Sequence, residues 1–287
     1  MRLKYKVALV TGAGRGIGRA IALAYAREGA SLALAARSLA ELEDTGGAAQ
    51  SLGAKTCVVS VDVTDQTAVD EMARQTLERF GHIDILVNNA GIVGPIGALE
   101  DNDVEAWVRT IQVNLVGTYL CCRSVIPAMA QSGGGRIINL SGSGATSAPY
   151  HLSAYGSSKA AIIRLTEILS LELADKNIQV NALGPGSIHT RMWEEITDGA
   201  MASGDSDLYE FGLQVTGGGG ASIERAAELA VWLAGDASQG LSGRMIHAVA
   251  DDFPNLTPHI PEIMASDRYT LRRDEPPRDS GQTNTPV

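Results

Sequence analysis

The length, composition and charge of this chain exclude several classes of protein. It has 287 residues, 45% of which are hydrophobic, and its formal net charge is −10 at pH 7. An acidic chain lacks the surplus of lysine and arginine that neutralises phosphates, so we expect no nucleic-acid partner. No apolar run has membrane-spanning length, and the amino-terminal residues lack a signal-peptide pattern. We therefore expect a soluble, cytoplasmic protein that does not bind a membrane.

Short runs of β-branched residues alternate with stretches of helical periodicity along most of the chain. Strands are predicted at residues 7–10, 31–36, 56–61, 83–87, 136–140, 178–182 and 244–249. Helices are predicted from residue 17 to a C-cap at Gly29 and at residues 39–52, 66–80, 104–129, 154–174 and 222–233. This alternation is typical of repeated βαβ units. It predicts an α/β fold, a Rossmann-like doubly wound parallel sheet of about seven strands with helices on both faces.

The sequence TGAGRGIG, residues 11–18, connects the first predicted strand to the first predicted helix. Its glycines allow a tight turn and a close approach of the backbone to a pyrophosphate. The charge of the pyrophosphate then meets free N–H groups at the positive end of the helix dipole. We predict a dinucleotide-binding loop whose contacts come from Gly12, Arg15, Gly16, Ile17 and Gly18; the alternative is a plain turn.

The end of the second predicted strand affects the choice between NAD(H) and NADP(H). An Asp or Glu about 20 residues after the glycine loop is typical of NAD(H) binding, because its carboxylate holds the ribose 2′-hydroxyl. This chain has Ala36 followed by Arg37 instead. Arg37, together with Arg15, is suited to clamp a 2′-phosphate through charge-assisted hydrogen bonds. NADP(H) is therefore favoured over NAD(H), with ordinary surface arginines as the alternative interpretation.

The three cysteines, Cys57, Cys121 and Cys122, form no CxxC pair. No group of histidines and cysteines has the spacing of metal ligands either. We interpret the cysteines as reduced core thiols and predict no metal site.

Tyr155 and Lys159 lie four residues apart on a predicted helix, so they share one face. A free phenol has a pKa of about 10, and a neighbouring ammonium favours the phenolate. The pair is suited to exchange a proton with a ketone or alcohol oxygen while a hydride moves between the carbon and a nicotinamide. A solvated helix face is the alternative interpretation of the same spacing.

Six motifs carry a resemblance to a known family. They are TGAGRGIG, DVT at residues 62–64, NNAG at 88–91, Asn114 in QVNLVG, YGSSK at 155–159 and GPGSIHT at 184–190. In these motifs and their order, about residues 3–250 of the chain resemble the short-chain dehydrogenase/reductase family in its compact single-domain form. The resemblance implies a homodimer or homotetramer that pairs through the helices predicted at 104–129 and 154–174.

The resemblance also implies roles for individual residues. The residues expected at the cofactor adenine are Asp62 and Val63, and those expected at its ribose are Asn89, Ala90 and Gly91. The residues expected at the nicotinamide carboxamide are Pro185, Ile188 and Thr190. Tyr155 is the implied catalytic acid or base. Lys159 is implied to hold the nicotinamide ribose, and Asn114 to hold a water that links the lysine to solvent.

One position departs from the family pattern. The family usually has a substrate-polarising serine where this chain has Gly142, between Ser141 and Ser143. We favour Ser141 over Ser143 as the hydroxyl that hydrogen-bonds the carbonyl oxygen, because Ser141 ends a predicted strand and is held more rigidly.

These observations predict an NADP(H)-dependent oxidoreductase that interconverts a small-molecule secondary alcohol and a ketone. Residues 1–252 form its single dinucleotide-binding and catalytic domain. One alternative is a catalytically impaired, dinucleotide-sensing regulatory protein of the same fold, which Gly142 supports. Another is a lyase or epimerase of the related extended type, which the glycine-loop spacing and the short chain disfavour.

Two segments interrupt the alternation of strands and helices. Residues 188–220 end in four glycines and are predicted to form a mobile lid over the substrate, or else a floppy connection. Residues 253–287 contain six of the ten prolines. We predict that they form a C-terminal extension, partly disordered or packing on a neighbouring subunit, with a short helix or arm at 262–271 and disorder at 274–287.

Overall fold

A parallel β-sheet of seven strands occupies the centre of the fold, in the order β3-β2-β1-β4-β5-β6-β7. This computed structural model describes residues 1–272, apart from the side chain of Ser143. The strands are β1 Val7–Thr11, β2 Ser31–Ala36, β3 Thr56–Ser60, β4 Ile85–Asn88, β5 Gly135–Leu140, β6 Ile178–Gly184 and β7 Met245–His247. The predicted fold class is therefore confirmed.

Helices connect the strands and cover the sheet. They are α1 Gly16–Arg27, α2 Leu39–Ser51, α3 Gln66–Phe80, α4 Val104–Ile111, α5 Gly117–Gln131, α6 Ser153–Glu172, α7 Arg191–Ser203, α8 Ser206–Gln214, α9 Ile223–Ala234 and α10 Ile260–Met264. The predicted helix 104–129 is divided into α4 and α5 by a π-helical turn, Gln112–Val116.

Side chains of β1 alternate between two hydrophobic layers, one on each face of the sheet. Ala8 and Val10 pack in the layer with α1 and α9, whereas Leu9 packs in the layer with α3 and α5. This alternation follows from the two-residue repeat of a strand. Because β2 and β4 lie on opposite sides of β1, the connections that follow β1 and β4 diverge and open a crevice at the carboxyl ends of these strands.

The stretch Val104–Gln131 is long and apolar enough to cross a membrane by length and composition alone, but half of its most apolar 18 residues are buried inside the fold. It contains the π-helical turn and contributes Val113, Leu120 and Val125 to a core layer. We interpret it as core helices of the domain.

The segment after β6 is mostly helical, which the sequence did not predict. Helices α7 and α8 pack against each other. The glycine run is confined to the connection that follows them, where Gly218 has a φ of 104°. We call α7 and α8 the lid.

Residues 253–272 pack on the chain's own core. Ile260 and Ile263 are buried in the layer formed with α9, and the Tyr269 carbonyl accepts a hydrogen bond of 2.8 Å from the backbone N–H of Met245 in β7. Glu167 of α6 binds Arg272 at 3.0 Å. The predicted disorder at 274–287 lies outside the described residues, and a contact of the extension with a neighbouring subunit stays a prediction.

Candidate active site

Gly12, in the loop between β1 and α1, and Gly18, in the first turn of α1, have no room for a side chain. A Cβ on Gly18 would lie 2.2 Å from the Gly12 carbonyl oxygen, and a Cβ on Gly12 would lie 2.7 Å from Asn89 Nδ2. Gly12 also has a φ of 63°, in the left-handed region that favours glycine. Within the described part of the chain, no side chain caps the start of α1, so its N–H groups are free to bind an anion. The loop therefore fits a pyrophosphate.

Thr11 and Asn89 tie the glycine loop to the end of β4. Thr11 Oγ1 accepts hydrogen bonds of 3.0 and 3.1 Å from the backbone N–H groups of Asn89 and Ala90. Asn89 Nδ2 donates to the carbonyl oxygens of Thr11 and Gly12 at 3.0 and 3.1 Å. The structure thus brings together two motifs that lie far apart in sequence.

The two arginines predicted to clamp a 2′-phosphate differ in their surroundings. Arg15 Nη1 lies 3.0 Å from Glu41 Oε1, so its charge is already paired. Arg37 is exposed at the end of β2 and forms no ion pair within residues 1–272. Arg37 is therefore the more available of the two cations, and Glu41 is a neighbour that the sequence pattern did not reveal.

Asp62 is held by a partner that sequence reasoning missed. Its carboxylate accepts hydrogen bonds from Thr64 Oγ1 at 2.8 Å and from Arg109 Nη2 at 2.6 Å. Burial raises the pKa of Asp62, but hydrogen bonds from the Thr64 backbone N–H, the Thr64 hydroxyl and Arg109 outweigh burial and hold the pKa below its usual value. Val63 is buried against Gly117 at the start of α5. No spacing rule links residues 62 and 109, so the sequence offered no signal for this pair.

The π-helical turn between α4 and α5 carries Asn114. Its Oδ1 accepts a hydrogen bond from the Ile92 N–H, and its Nδ2 donates to the Ile92 carbonyl and to Ser158 Oγ, all at 2.9 Å. A Cβ on Gly91 would lie 3.2 Å from Asn114 Oδ1 and 3.6 Å from Lys159 Nζ. Asn114, Gly91 and Lys159 therefore meet at one point beside the crevice.

Tyr155 and Lys159 lie on one face of α6, as their spacing predicts. Lys159 Nζ donates a hydrogen bond of 2.8 Å to the Leu140 carbonyl at the end of β5 and lies 5.7 Å from the centre of the Tyr155 ring. The side chain of Lys159 is 5% exposed. The lysine is thus anchored to the sheet beside the phenol.

The pKa values of this pair shift in the direction that burial dictates. Burial raises the pKa of Tyr155 to about 12 and lowers the pKa of Lys159 to about 8. The spacing of Tyr155 and Lys159 predicted that the ammonium lowers the pKa of the phenol, but burial raises it instead. At neutral pH, Tyr155 is therefore a protonated hydrogen-bond donor.

Gly142, not Ser141, faces the Tyr155 hydroxyl. A Cβ on Gly142 would lie 2.4 Å from Tyr155 Oη. Gly142 is extended, with a φ of −169°, and side chains alternate along an extended chain, so Ser141 is directed to the other side. Ser141 Oγ is buried without a hydrogen-bond partner among the described residues. This geometry disfavours Ser141 as the carbonyl-polarising group; the side chain of Ser143 is not described.

The residues predicted at the nicotinamide lie on the connection between β6 and α7. Pro185 and Ile188 are buried, and Thr190 immediately precedes α7. A Cβ on Gly16 would lie 3.5 Å from Thr190 Cγ2, so this connection reaches the glycine loop. Contact of these residues with a cofactor stays a prediction.

An apolar cluster covers Tyr155. Its buried members are Val93, Leu152 and Ile196, and the partly buried side chains packed on them are Ile96, Tyr155, Met192, Trp193 and Leu208. The lid supplies Ile196, Met192, Trp193 and Leu208. Trp193 also packs edge-on against Phe211, with ring centres 5.4 Å apart. The lid thus forms an apolar wall beside the phenol.

Cys121 and Cys122 are buried in the core layer formed with α3 and α5, and Cys57 packs against that layer. Burial raises the pKa of all three thiols, which keeps them protonated. Within residues 1–272, no cluster of three or more His, Cys, Asp or Glu side chains is suited to hold a metal ion.

The fold and the arrangement of glycine loop, Asn114, Tyr155 and Lys159 define an oxidoreductase of one family. The family model described as short chain dehydrogenase matches residues 6–200. The chain belongs to the short chain dehydrogenase family, whose members use NAD(P) cofactors.

Individual relatives cover most of the chain. A sorbitol dehydrogenase of Cereibacter sphaeroides is 38% identical over 197 residues, which are 68% of this chain and 75% of the relative. A 3-oxoacyl-[acyl-carrier-protein] reductase of Thermotoga maritima is 34% identical over 248 residues, or 86% of this chain and 97% of the relative. The crystal structure of an NAD+-bound xylitol dehydrogenase superposes with a TM-score of 0.82 at 31% identity, covering 86% of this chain and 98% of that one.

Proposed function

We propose that the protein is an NADP(H)-dependent oxidoreductase that interconverts a secondary alcohol and a ketone, with Tyr155 and Lys159 as its acid/base pair. The observation that carries this proposal is the position of Tyr155. Its hydroxyl lies against Gly142 at the carboxyl end of the sheet, beside the buried Lys159 and under the apolar wall of the lid. A carbonyl oxygen that enters this space meets a protonated phenol.

The residues present fit the dinucleotide. The backbone cradle at Gly12, Gly16 and Gly18 would hold its pyrophosphate, and the exposed Arg37 would pair with a 2′-phosphate. We assign Asp62 and Val63 to the adenine, Asn89, Ala90 and Gly91 to the ribose, and Pro185, Ile188 and Thr190 to the nicotinamide. When bound, the dinucleotide supplies or accepts a hydride at its nicotinamide.

Tyr155 moves the proton in this proposal. In the direction of reduction, its hydroxyl gives a proton to the carbonyl oxygen; in the direction of oxidation, the phenolate takes it back. We assign to Lys159 the stabilisation of the phenolate and the binding of the cofactor ribose. Asn114 is held by the Ile92 backbone and by Ser158, and we assign to it the water that would link the lysine to solvent.

Arg37 provides the test of cofactor preference. We expect Arg37→Ala to weaken NADP(H) binding about tenfold to a hundredfold and to leave NAD(H) binding unchanged, because a charge-assisted hydrogen bond to the 2′-phosphate is lost. Isothermal titration of both cofactors measures this effect. Arg15→Ala is the matched control with a smaller expected loss, since Glu41 already pairs Arg15. Equal affinities of the unmodified protein for the two cofactors would refute the NADP(H) preference.

Ser141→Ala tests whether the Ser141 hydroxyl polarises the substrate carbonyl. We expect turnover to change less than about threefold, because the Ser141 oxygen is buried, has no partner in the described part of the structure and is directed away from Tyr155. Steady-state rates with one ketone measure this change. A loss of a hundredfold or more would restore Ser141 to the mechanism, as would be expected for removal of a well-placed donor worth about 10²–10³ in rate.

Subunit association is also proposed. The family's members are typically oligomeric, and large apolar side chains are exposed on the helices expected to pair. Tyr119 of α5 is 50% exposed and Leu171 of α6 is 81% exposed. These side chains support a homodimer or homotetramer, and a monomer in sedimentation velocity experiments would contradict this proposal.

One observation favours the alternative of a dinucleotide-sensing regulatory protein. Gly142 stands where the family pattern usually has a serine, and the Tyr155 hydroxyl faces this glycine. Tight cofactor binding without turnover of any alcohol or ketone would favour this alternative.

A further inference from the structure

An imidazole–carboxylate pair links the chain just before Tyr155 to the lid. His151 Nδ1 lies 2.9 Å from Asp205 Oδ2. Both side chains are largely buried, with exposed fractions of 15% for His151 and 7% for Asp205. Because a carboxylate oxygen only accepts, Nδ1 carries the proton in this hydrogen bond. The proposed reaction gives this pair no role.

His151 is fixed by its backbone as well as by its side chain. It has a φ of 58°, in a region that non-glycine residues seldom occupy, and its carbonyl accepts a 3.0 Å hydrogen bond from the Gly97 N–H. It lies four residues before Tyr155, next to Leu152 of the apolar cluster. Such a conformation costs free energy, so the contacts around His151 hold it in place.

Asp205 forms the lid side of the contact. Its Oδ1 accepts a hydrogen bond of 3.1 Å from the Leu208 N–H and so caps α8, while its Oδ2 binds His151. Leu208 packs in the apolar cluster with Tyr155 and Trp193. One carboxylate therefore connects the first turn of α8, the chain preceding Tyr155 and the wall beside the phenol.

We propose that the His151–Asp205 pair positions the lid over Tyr155 and thereby sets the preference for substrates that are apolar next to the reacting carbon. The pair fixes α8, which carries Leu208 and packs on α7. Leu208 then lies with Trp193 and Met192 of α7 against the space beside the phenol. This inference rests on the proposed function, because the selected molecule is the ketone or alcohol that reacts at Tyr155.

Two variants break the contact and spare the local structure. Asp205→Ser keeps a side-chain oxygen that caps α8, but serine is too short to reach His151. His151→Asn keeps a residue type that tolerates a positive φ, and it is shorter than histidine. Asp207→Ser is the matched control: it removes a carboxylate from the same helical turn, but Asp207 is exposed and does not contact His151.

The first readout is hydrogen exchange of the backbone amides in residues 191–214 of the cofactor-bound protein. We expect faster exchange in Asp205→Ser and His151→Asn and unchanged exchange in Asp207→Ser. This readout does not depend on turnover, so it tests the contact even if the proposed reaction is wrong.

The second readout is kcat/KM for a series of ketones of increasing apolar size with NADPH. We expect both variants to lose about tenfold or more for the largest ketone, mainly through KM, and much less for the smallest. The double variant is expected to lose no more than either single variant, because both remove one interaction. NADPH affinity is expected to stay the same. Unchanged exchange, or equal losses across the series, would overturn the proposal.

Discussion

Tyr155→Phe is expected to lower turnover by about 10²–10⁴-fold, the usual contribution of general acid–base catalysis, and to leave cofactor affinity unchanged. The substitution removes one oxygen atom and keeps the ring that packs with Leu152 and Ile196. Because burial keeps the phenol protonated at neutral pH, the lost group is the proton donor for ketone reduction. Initial rates of NADPH oxidation with a ketone measure turnover, and cofactor fluorescence measures affinity.

Tyr150→Phe is the control for this substitution. It removes the same atom from an exposed tyrosine just before α6, and we expect unchanged rates. Retained turnover in Tyr155→Phe would remove the tyrosine from the mechanism. Lost cofactor affinity in that variant would instead indicate a structural role.

Gly18→Ala is expected to abolish dinucleotide binding. The added Cβ would lie 2.2 Å from the Gly12 carbonyl oxygen and 2.4 Å from Asn89 Nδ2, so the glycine loop has to move away from the start of α1. Overpacking of this kind typically costs about 1–3 kcal/mol in the free energy of unfolding. Thermal melting without NADPH measures the loss of stability. Melting with NADPH measures the loss of binding, because NADPH is then expected not to raise the melting temperature of the variant.

The matched control for Gly18→Ala is Gly47→Ala in α2. A Cβ on Gly47 would meet nothing within 4 Å. Alanine is the better helix former by roughly 0.8–1.0 kcal/mol, so this variant is expected to stabilise the protein and to keep its response to NADPH. Equal behaviour of the two variants would contradict the steric argument at Gly18.

The sequence predicted the fold well, because hydrophobic periodicity decides strand and helix locally. The glycine loop and the Tyr155–Lys159 pair were found for the same reason: a strand–turn–helix junction and a spacing of four residues are local patterns. The lid was predicted less well, since its four glycines suggested a loose segment. These glycines lie beyond the carboxyl end of α8, so they interrupt neither helix of the lid.

The contacts that the sequence did not reveal join residues far apart in the chain. Three ion pairs have no sequence spacing in common: Arg109 with Asp62, Arg15 with Glu41, and His151 with Asp205. The pKa of Tyr155 was predicted in the wrong direction because helical spacing reports that Lys159 is near, but not how far the surrounding chain removes each group from water. The side of the chain to which Ser141 is directed also depends on the backbone beyond β5.

The covered edge of the sheet has a consequence for aggregation. An open terminal strand offers unpaired N–H and C=O groups on which a foreign strand can grow. At β7 the Met245 N–H is already taken by Tyr269, and Arg244 reaches across to the carbonyl oxygens of Ile263 and Ser266. Residues 253–272 therefore cover this edge against strand addition by another molecule, and we expect their removal to leave this flank of the protein prone to form insoluble polymers.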